Sequence, residues 1–396
     1  MQAVELTFGH RTNERRLSPA WWAVVSRFLL HGLIVGTWVS RIPAIREDLS
    51  LTNATLGLCL LGTAVGSLVA VPSVGYLIGK LGSKTVTTWS TMGFCVALML
   101  PSLAFNSLSL FAALVLYGAM AGANDVCINA QAAAVEHALE RPTMSRFHAM
   151  FSMGGMLASA LGGIAAQHAI TPRLHFAMAA MAFLTLSMFT GPLLLDADDH
   201  VSRTRERFHI TGIPPVLMAL VAIGVAMFLS EGAIADWSGV YAKSTLSGSA
   251  ASAALAYAAF SAGMAIFRLL GDAVTRRIGP VATLRIGAFM AAFGVGVALL
   301  ARSPGVALPA FALTGAGCSV IVPLTFAASS RITQIPRATA IAFVSGSGYI
   351  GFLFGPPLVG WIAQQLSLRT ALSLVIALSV LAGALASAVS PSKSRA

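Results

Sequence analysis

Twelve apolar stretches of about 20 residues leave this chain few ways to fold, because each is long enough to cross the hydrocarbon of a bilayer as a helix. They run over 19–41, 53–78, 85–105, 108–138, 145–168, 172–195, 213–241, 250–275, 281–301, 305–330, 338–363 and 370–389. In lipid, backbone groups have to be satisfied within the segment, and the short alternating strands of a barrel are absent, so the stretches read as helices. Only 10% of residues are charged and the mean hydropathy is +0.81. Soluble domains carry about 25% charged residues, so water is not the main solvent here. The sequence predicts an all-α, multi-pass protein of the inner (cytoplasmic) membrane.

The net charge of +11 raises the question of nucleic acid. Sorted by loop, 17 of the 25 Lys and Arg lie on the side of the N-terminus and 6 on the other, with Arg27 and Arg268 inside spans. This is the positive-inside asymmetry. It predicts cytoplasmic termini and makes the basic charge topological, with no nucleic-acid partner. Cys59, Cys95, Cys127 and Cys318 all fall inside spans without CxxC spacing, as packing residues do, and not as disulfides or metal ligands. The first stretch is too long for a removable signal peptide and lacks its small-residue cleavage site.

The longest hydrophilic interruption, "DADDHVSRTRERFHITG", divides the spans six and six. The predicted organisation is a cytoplasmic tail (1–18), a six-helix domain (19–195), a cytoplasmic linker (196–212), a second six-helix domain (213–390) and a short tail (391–396). The halves echo each other. "GYLIGKLGSKTV" follows span two and "GDAVTRRIGPVATLR" follows span eight, while spans five and eleven hold "SMGGMLASALGG" and "SGSGYIGFLFGPPLVG". Weak symmetry between six-span halves is the mark of a transporter built from repeats.

With these loops and this layout the chain resembles the major facilitator superfamily over nearly its whole length. The family's loop reads Gly-x3-Asp-(Arg/Lys)-x-Gly-x-(Arg/Lys). Gly75, Lys80, Gly82 and Lys84 match it, with Gly79 in the aspartate's place; the second copy offers Gly271, Asp272, Arg276, Arg277 and Gly279. "WVSRIPAI", "NDVCINAQAAAVE", "FHAMFSMGG" and "EGAIADWS" are similar to an uncharacterised bacterial branch near the proton-coupled fucose permeases. That resemblance implies two six-helix domains rocking about a central site. It puts Asp125 at the position of a substrate- and proton-coupling carboxylate on the fourth helix, with Asn129 as the asparagine that follows. Val39 stands where the permeases carry an aspartate in the first helix.

Helical spacing sorts the polar residues into stripes. Span four aligns Gly118, Gly122, Asp125, Asn129 and Glu136, with Asn124 and Gln131 beside them. Asp125 lies about 25 Å from the outer start of its helix. An ionised carboxylate facing lipid costs at least ~2.5–3.5 kcal/mol, so Asp125 is expected to face a water-filled cavity or a structural ion pair. Span one aligns Arg27, His31, Trp38 and Arg41. Arg27 matches Asp125 in depth and reads as its counter-charge, and His31 reads as a proton shuttle or a histidine bonded to the next helix. Glu231 in span seven is a second proton candidate, with Trp237 and Tyr241 following it as stacking or interfacial aromatics. Asn124, Asn129, Gln131, Arg27, Trp38, Trp237 and Tyr241 are the candidate substrate contacts. His148 reads as a gate at the cytoplasmic mouth, and Arg268 with Asp272 as an i,i+4 ion pair feeding the Arg276–Arg277 latch. Lys80, Gly82 and Lys84 form the first latch. Pro323 and Gly355-Pro356-Pro357 read as helix breaks.

There is no Walker loop, zinc spacing or serine elbow. The expectation is a monomeric secondary transporter of a small polar, sugar-like metabolite, with the proton as coupling ion and no cofactor. An exporter of drugs or metabolites, or a transporter-like sensor, remains open on sequence alone.

Overall fold

The computed structural model describes residues 2–141, 143–196 and 213–390. Twelve helices among them are long and apolar enough to cross a membrane. The first six spans are α1 (Gln2–Asp48), α2 (Asn53–Leu81), α3 (Ser83–Ala97), α4 (Ser107–Leu139), α5 (Met144–Gln167) and α6 (Pro172–Thr190). The last six are α7 (Pro215–Val240), α8 (Ala250–Ile278), α9 (Pro280–Leu300), a tenth span made of α10 (Pro304–Cys318) and α11 (Ile321–Ser329), then α12 (Arg337–Gln365) and α13 (Leu368–Ala384).

Helix α1 begins at Gln2 and so runs through the residues expected to form the N-terminal tail, while its membrane-crossing part begins at Leu17. One expectation needs revision and another holds. Span eleven does not break: Pro356 and Pro357 lie inside the continuous α12. Span ten does break, with Pro323 in the first turn of α11, where a missing N–H costs nothing because first-turn donors have no intrahelical partner. All of the linker except Asp196, and the tail at 391–396, lie outside the described residues.

A constant offset of 197 residues relates the close helix contacts of the two halves. A Cβ on Gly66 would overlap the carbonyl of Val115, and one on Gly263 would overlap that of Ala312. Gly118 abuts Thr63 as Gly315 abuts Phe260. The same shift takes Gly82 (φ 79°) to Gly279 (φ 82°), the two glycines that turn α2 into α3 and α8 into α9 with positive φ, a conformation that favours glycine. Helices in lipid associate through such close backbone approach, having no hydrophobic drive between them. The glycines therefore define the packing of each half. The polar side chains do not follow the shift: the positions 197 residues after Asn124, Asp125 and Gln131 hold Ile321, Val322 and Ala328.

The halves meet along two seams, α2 with α12 and α5 with α8. On the face away from the N-terminus, Gly57 packs on Pro356 and Gly360, Gly163 on Ala251, and Gly239 on Ala253 and Pro43. Asn53 donates to the carbonyl of Ala363 at 3.4 Å. Toward the terminal face the first seam is free of such contact: a Cβ added to Gly75 or Gly346 would meet nothing within 4 Å among the described residues. The molecule is sealed at its far face and parted along α2–α12 at the terminal face.

Candidate functional site

Neighbours on one helix point to different destinations. Asn124 is fully buried inside the first half. Its amide reaches His31 Nδ1 at 2.9 Å, Thr91 at 2.7 Å and Ser90 at 3.4 Å. Gln131, also fully buried, donates to Ser83 at 2.6 Å and to the carbonyl of Leu195 at 3.0 Å, and accepts from the Leu195 amide at 3.1 Å. Both were expected to meet substrate, and both instead join α4 to α3, α1 or the end of span six. His31 takes the second of its two readings, a histidine bonded to the next helix, between the rings of Phe94 and Phe151. Glu136 accepts from the backbone amides of Thr143 and Met144 at 2.6 and 2.8 Å. It thus supplies acceptors to orphan donors at the start of α5.

Arg27 is not the counter-charge of Asp125. It is buried and donates to the hydroxyl and carbonyl of Ser187 in α6. A carbonyl and a hydroxyl hold the guanidinium where a carboxylate was expected. Asp125 itself is exposed, one residue from buried Asn124. It accepts from Asn129 at 3.2 Å within its own helix, and lies within electrostatic reach of Tyr349 in α12. Asp125 and Asn129 thus face the gap along the parted seam. Replacing Asn124 by Ala is expected to cost about 1–3 kcal/mol, because His31 and the two hydroxyls lose their partner. Thermal unfolding should show this loss while leaving any pH dependence of transport unchanged.

In the second half Trp237 is fully buried over Gly360, at the sealed end, and its indole N–H has no partner among the described residues. Tyr241 is equally buried and donates to the carbonyls of Ala298 and Leu299 at 3.3 and 3.2 Å. Trp38 packs against Tyr117, ring centroids 6.1 Å apart. All three aromatics are packed inside the protein in this conformation. Arg268 turns away from Asp272: its guanidinium lies 3.9 Å from Glu231 and bonds to α5 at Ser152 and at the carbonyl of His148. Asp272, Arg276, Arg277 and Lys80 are exposed at the terminal face, and Lys84 pairs with Asp196 at 3.2 Å.

Four residues absent from the predicted site, Tyr117, Asp236, Tyr257 and Ser261, lie near one another. Tyr117 of α4 is buried, its hydroxyl unpartnered among the described residues, and lies within electrostatic reach of Tyr257 in α8 and Asp236 in α7. The Tyr257 hydroxyl and Ser261 both point at Gly155 of α5, whose missing side chain makes room for them. Glu231 and Arg268 border the same group. Carboxylates, phenols and a guanidinium from both halves therefore converge between α4, α5, α7 and α8, where the two halves meet. A cavity of about 220 Å³ on the far face, bordered by Arg41, Glu47 and Lys243, contains none of these groups.

This is the layout of a transporter with a central site between two halves. The family model described as Major Facilitator Superfamily matches residues 24–287 and 219–396. The chain belongs to the major facilitator superfamily. An uncharacterized transporter, y4wD, of Sinorhizobium fredii is 33% identical over 376 residues, covering 94% of this chain and 98% of that protein. Among solved structures, a D-xylose-proton symporter superposes with a TM-score of 0.71 at 15% identity, over 93% of this chain and 97% of its own. FucP, a superfamily transporter in the outward conformation, superposes with a TM-score of 0.64 at 17% identity, over 93% and 98%. This superfamily member is a multi-pass membrane transporter and not an enzyme.

Proposed function

We propose that this transporter moves a small polar, sugar-like metabolite across the inner membrane by alternating access, in symport with protons. The chain acts as a monomer, with 19–195 and 213–390 as the two rocking domains, 196–212 as the cytoplasmic linker and both termini in the cytoplasm. The proton is its coupling ion, and it uses no other cofactor. The observation that carries this reading is a gap sealed at the far face and parted at the terminal face, with Asp125 and Asn129 turned toward it. By the positive-inside asymmetry the terminal face is cytoplasmic, so this conformation is inward-facing. Asp125 is the coupling carboxylate nearest the opening, and Glu231 with Asp236 forms the deeper acidic pair. Asn129 and the hydroxyls of Tyr117, Tyr257 and Ser261 offer donors and acceptors to a polyol. The symporter similarity supports this substrate class at the level of a related fold.

The test is uptake into proteoliposomes. A sugar or polyol that stabilises the purified protein against heat should accumulate when an inward proton gradient is imposed, and accumulation should stop when an ionophore collapses it. If only lipophilic drugs stabilise the protein and are pumped against the gradient, the protein exports them and the symport reading falls.

A further inference from the structure

The 197-residue shift pairs the α5–α8 seam with the α12–α2 seam, yet the two differ at one level. In the first, Arg268 of α8 donates to Ser152 Oγ at 2.7 Å and to the His148 carbonyl at 3.2 Å, both on α5. Its other terminal nitrogen lies 3.9 Å from Glu231 Oε2, and Glu231 Oε1 is buried with no hydrogen-bond partner among the described residues. In the second seam the matching positions are Val71 for Arg268, Tyr349 for Ser152, Ser345 for His148 and Ile34 for Glu231. The charged pair is replaced there by apolar Val71 and Ile34, which cannot donate or accept a hydrogen bond through their side chains, and Gly346 nearby has open space.

We propose that, at this level, Arg268 fastens the two halves along α5–α8 while α2–α12 has no matching bridge, so that the transporter opens on one side, and that Glu231 sets how firmly Arg268 holds. The guanidinium has two claimants. An ionised Glu231 draws it toward α7 across a stretched contact, away from the neutral acceptors of α5. When Glu231 takes up a proton, that pull ends and Arg268 is left to Ser152 and the His148 carbonyl. Protonation therefore tightens the α5–α8 seam, and proton release loosens it. Arg268 and Ser152 act as positioning residues in this scheme, since neither needs to touch the transported solute. Other titratable groups share these surroundings: Tyr257 of α8, Cys318 of α10, Asp236 on the same helix as Glu231, and His148 of α5 with His31 of α1 beyond it. Only Glu231 and Arg268 among them make the charged contact across α7 and α8.

The seam can be followed without knowing the substrate, so its failure is separable from that of the symport reading. Spin labels at Arg146→Cys and Ala273→Cys occupy exposed positions near the terminal ends of α5 and α8, and the four native cysteines are buried. Electron double resonance then reports the distance distribution at acidic and alkaline pH. The full-length protein should favour the shorter distance in acid and gain a longer population in alkali. Glu231→Gln should hold the shorter distance at both pH values. Arg268→Met and the milder Ser152→Ala should shift weight to the longer distance at both. His148→Gln should retain the pH response, since only its backbone takes part. A pH response that survives in Glu231→Gln, one that disappears in His148→Gln, or a Ser152→Ala distribution identical to the parent would overturn the proposal. The Ser152 variant keeps the test decisive if Arg268→Met does not fold.

Discussion

Gly118→Val and Gly315→Val are each expected to prevent recovery of a monodisperse transporter, and by a similar margin. At both positions a Cβ would overlap backbone atoms of the facing helix, Thr63 of α2 in one half and Phe260 of α8 in the other. Backbone cannot rotate away as a side chain can, so two helices would have to part. Overpacking of a filled interior typically costs about 1–3 kcal/mol, and these sites belong at or beyond about 3 kcal/mol. Gly75→Ala and Gly346→Ala provide the contrast, because both lie in helices with nothing near the added carbon. There alanine should be tolerated or should stabilise by about 0.5–1 kcal/mol through lost backbone freedom. Detergent-solubilised protein followed by size exclusion and thermal unfolding reads both sets. Equal melting temperatures across all four variants would show that the glycine contacts do not set the packing within each half.

The fold was legible because one physical demand dominates it. A helix that must cross the bilayer needs a long apolar run, and twelve such runs predict all twelve spans to within a few residues, α1 excepted. The loops after spans two and eight already echo each other in the letters of the chain, whereas the 197-residue shift of the packing glycines emerges only with their contacts. The site was legible only in part. Helical periodicity says which residues share a face but not which neighbour that face meets. Asn124 and Asp125 stand about 100° apart on their helix; one turns into a packed half and the other toward a gap. Arg27 misled because a charge search seeks a carboxylate, whereas Ser187 and its carbonyl bear no charge. Tyr117 and Tyr257 gave no signal at all, because a tyrosine in an apolar run looks like any other aromatic. Asp236 was visible as an acid beside Trp237, but only the fold brings it to the two phenols. The polar residues singled out on α4 are not copied by the repeat, and contacts such as Arg268 with Ser152 join side chains from different halves of the chain.

Asp125→Asn tests that distinction most directly. Its carboxylate accepts from Asn129 in its own helix, and its side chain is exposed. The substitution keeps the shape and removes the charge, so no packed neighbour is left unsatisfied. Stability should stay within about 0.5 kcal/mol of the parent, as for exposed sites elsewhere. Accumulation driven by a proton gradient should fall at least about tenfold, equivalent to about 1.4 kcal/mol of lost driving interaction. Exchange of labelled for unlabelled solute across a membrane without a gradient should continue, since it needs the halves to rock but no net proton movement. Asn124→Ala is the mirror image: its cost falls on unfolding, and accumulation per folded molecule keeps its pH dependence. If Asp125→Asn instead melted several degrees early while accumulating solute normally, the carboxylate would belong to the packing of α4, and the coupling role would pass to Glu231 and Asp236 where the two halves meet.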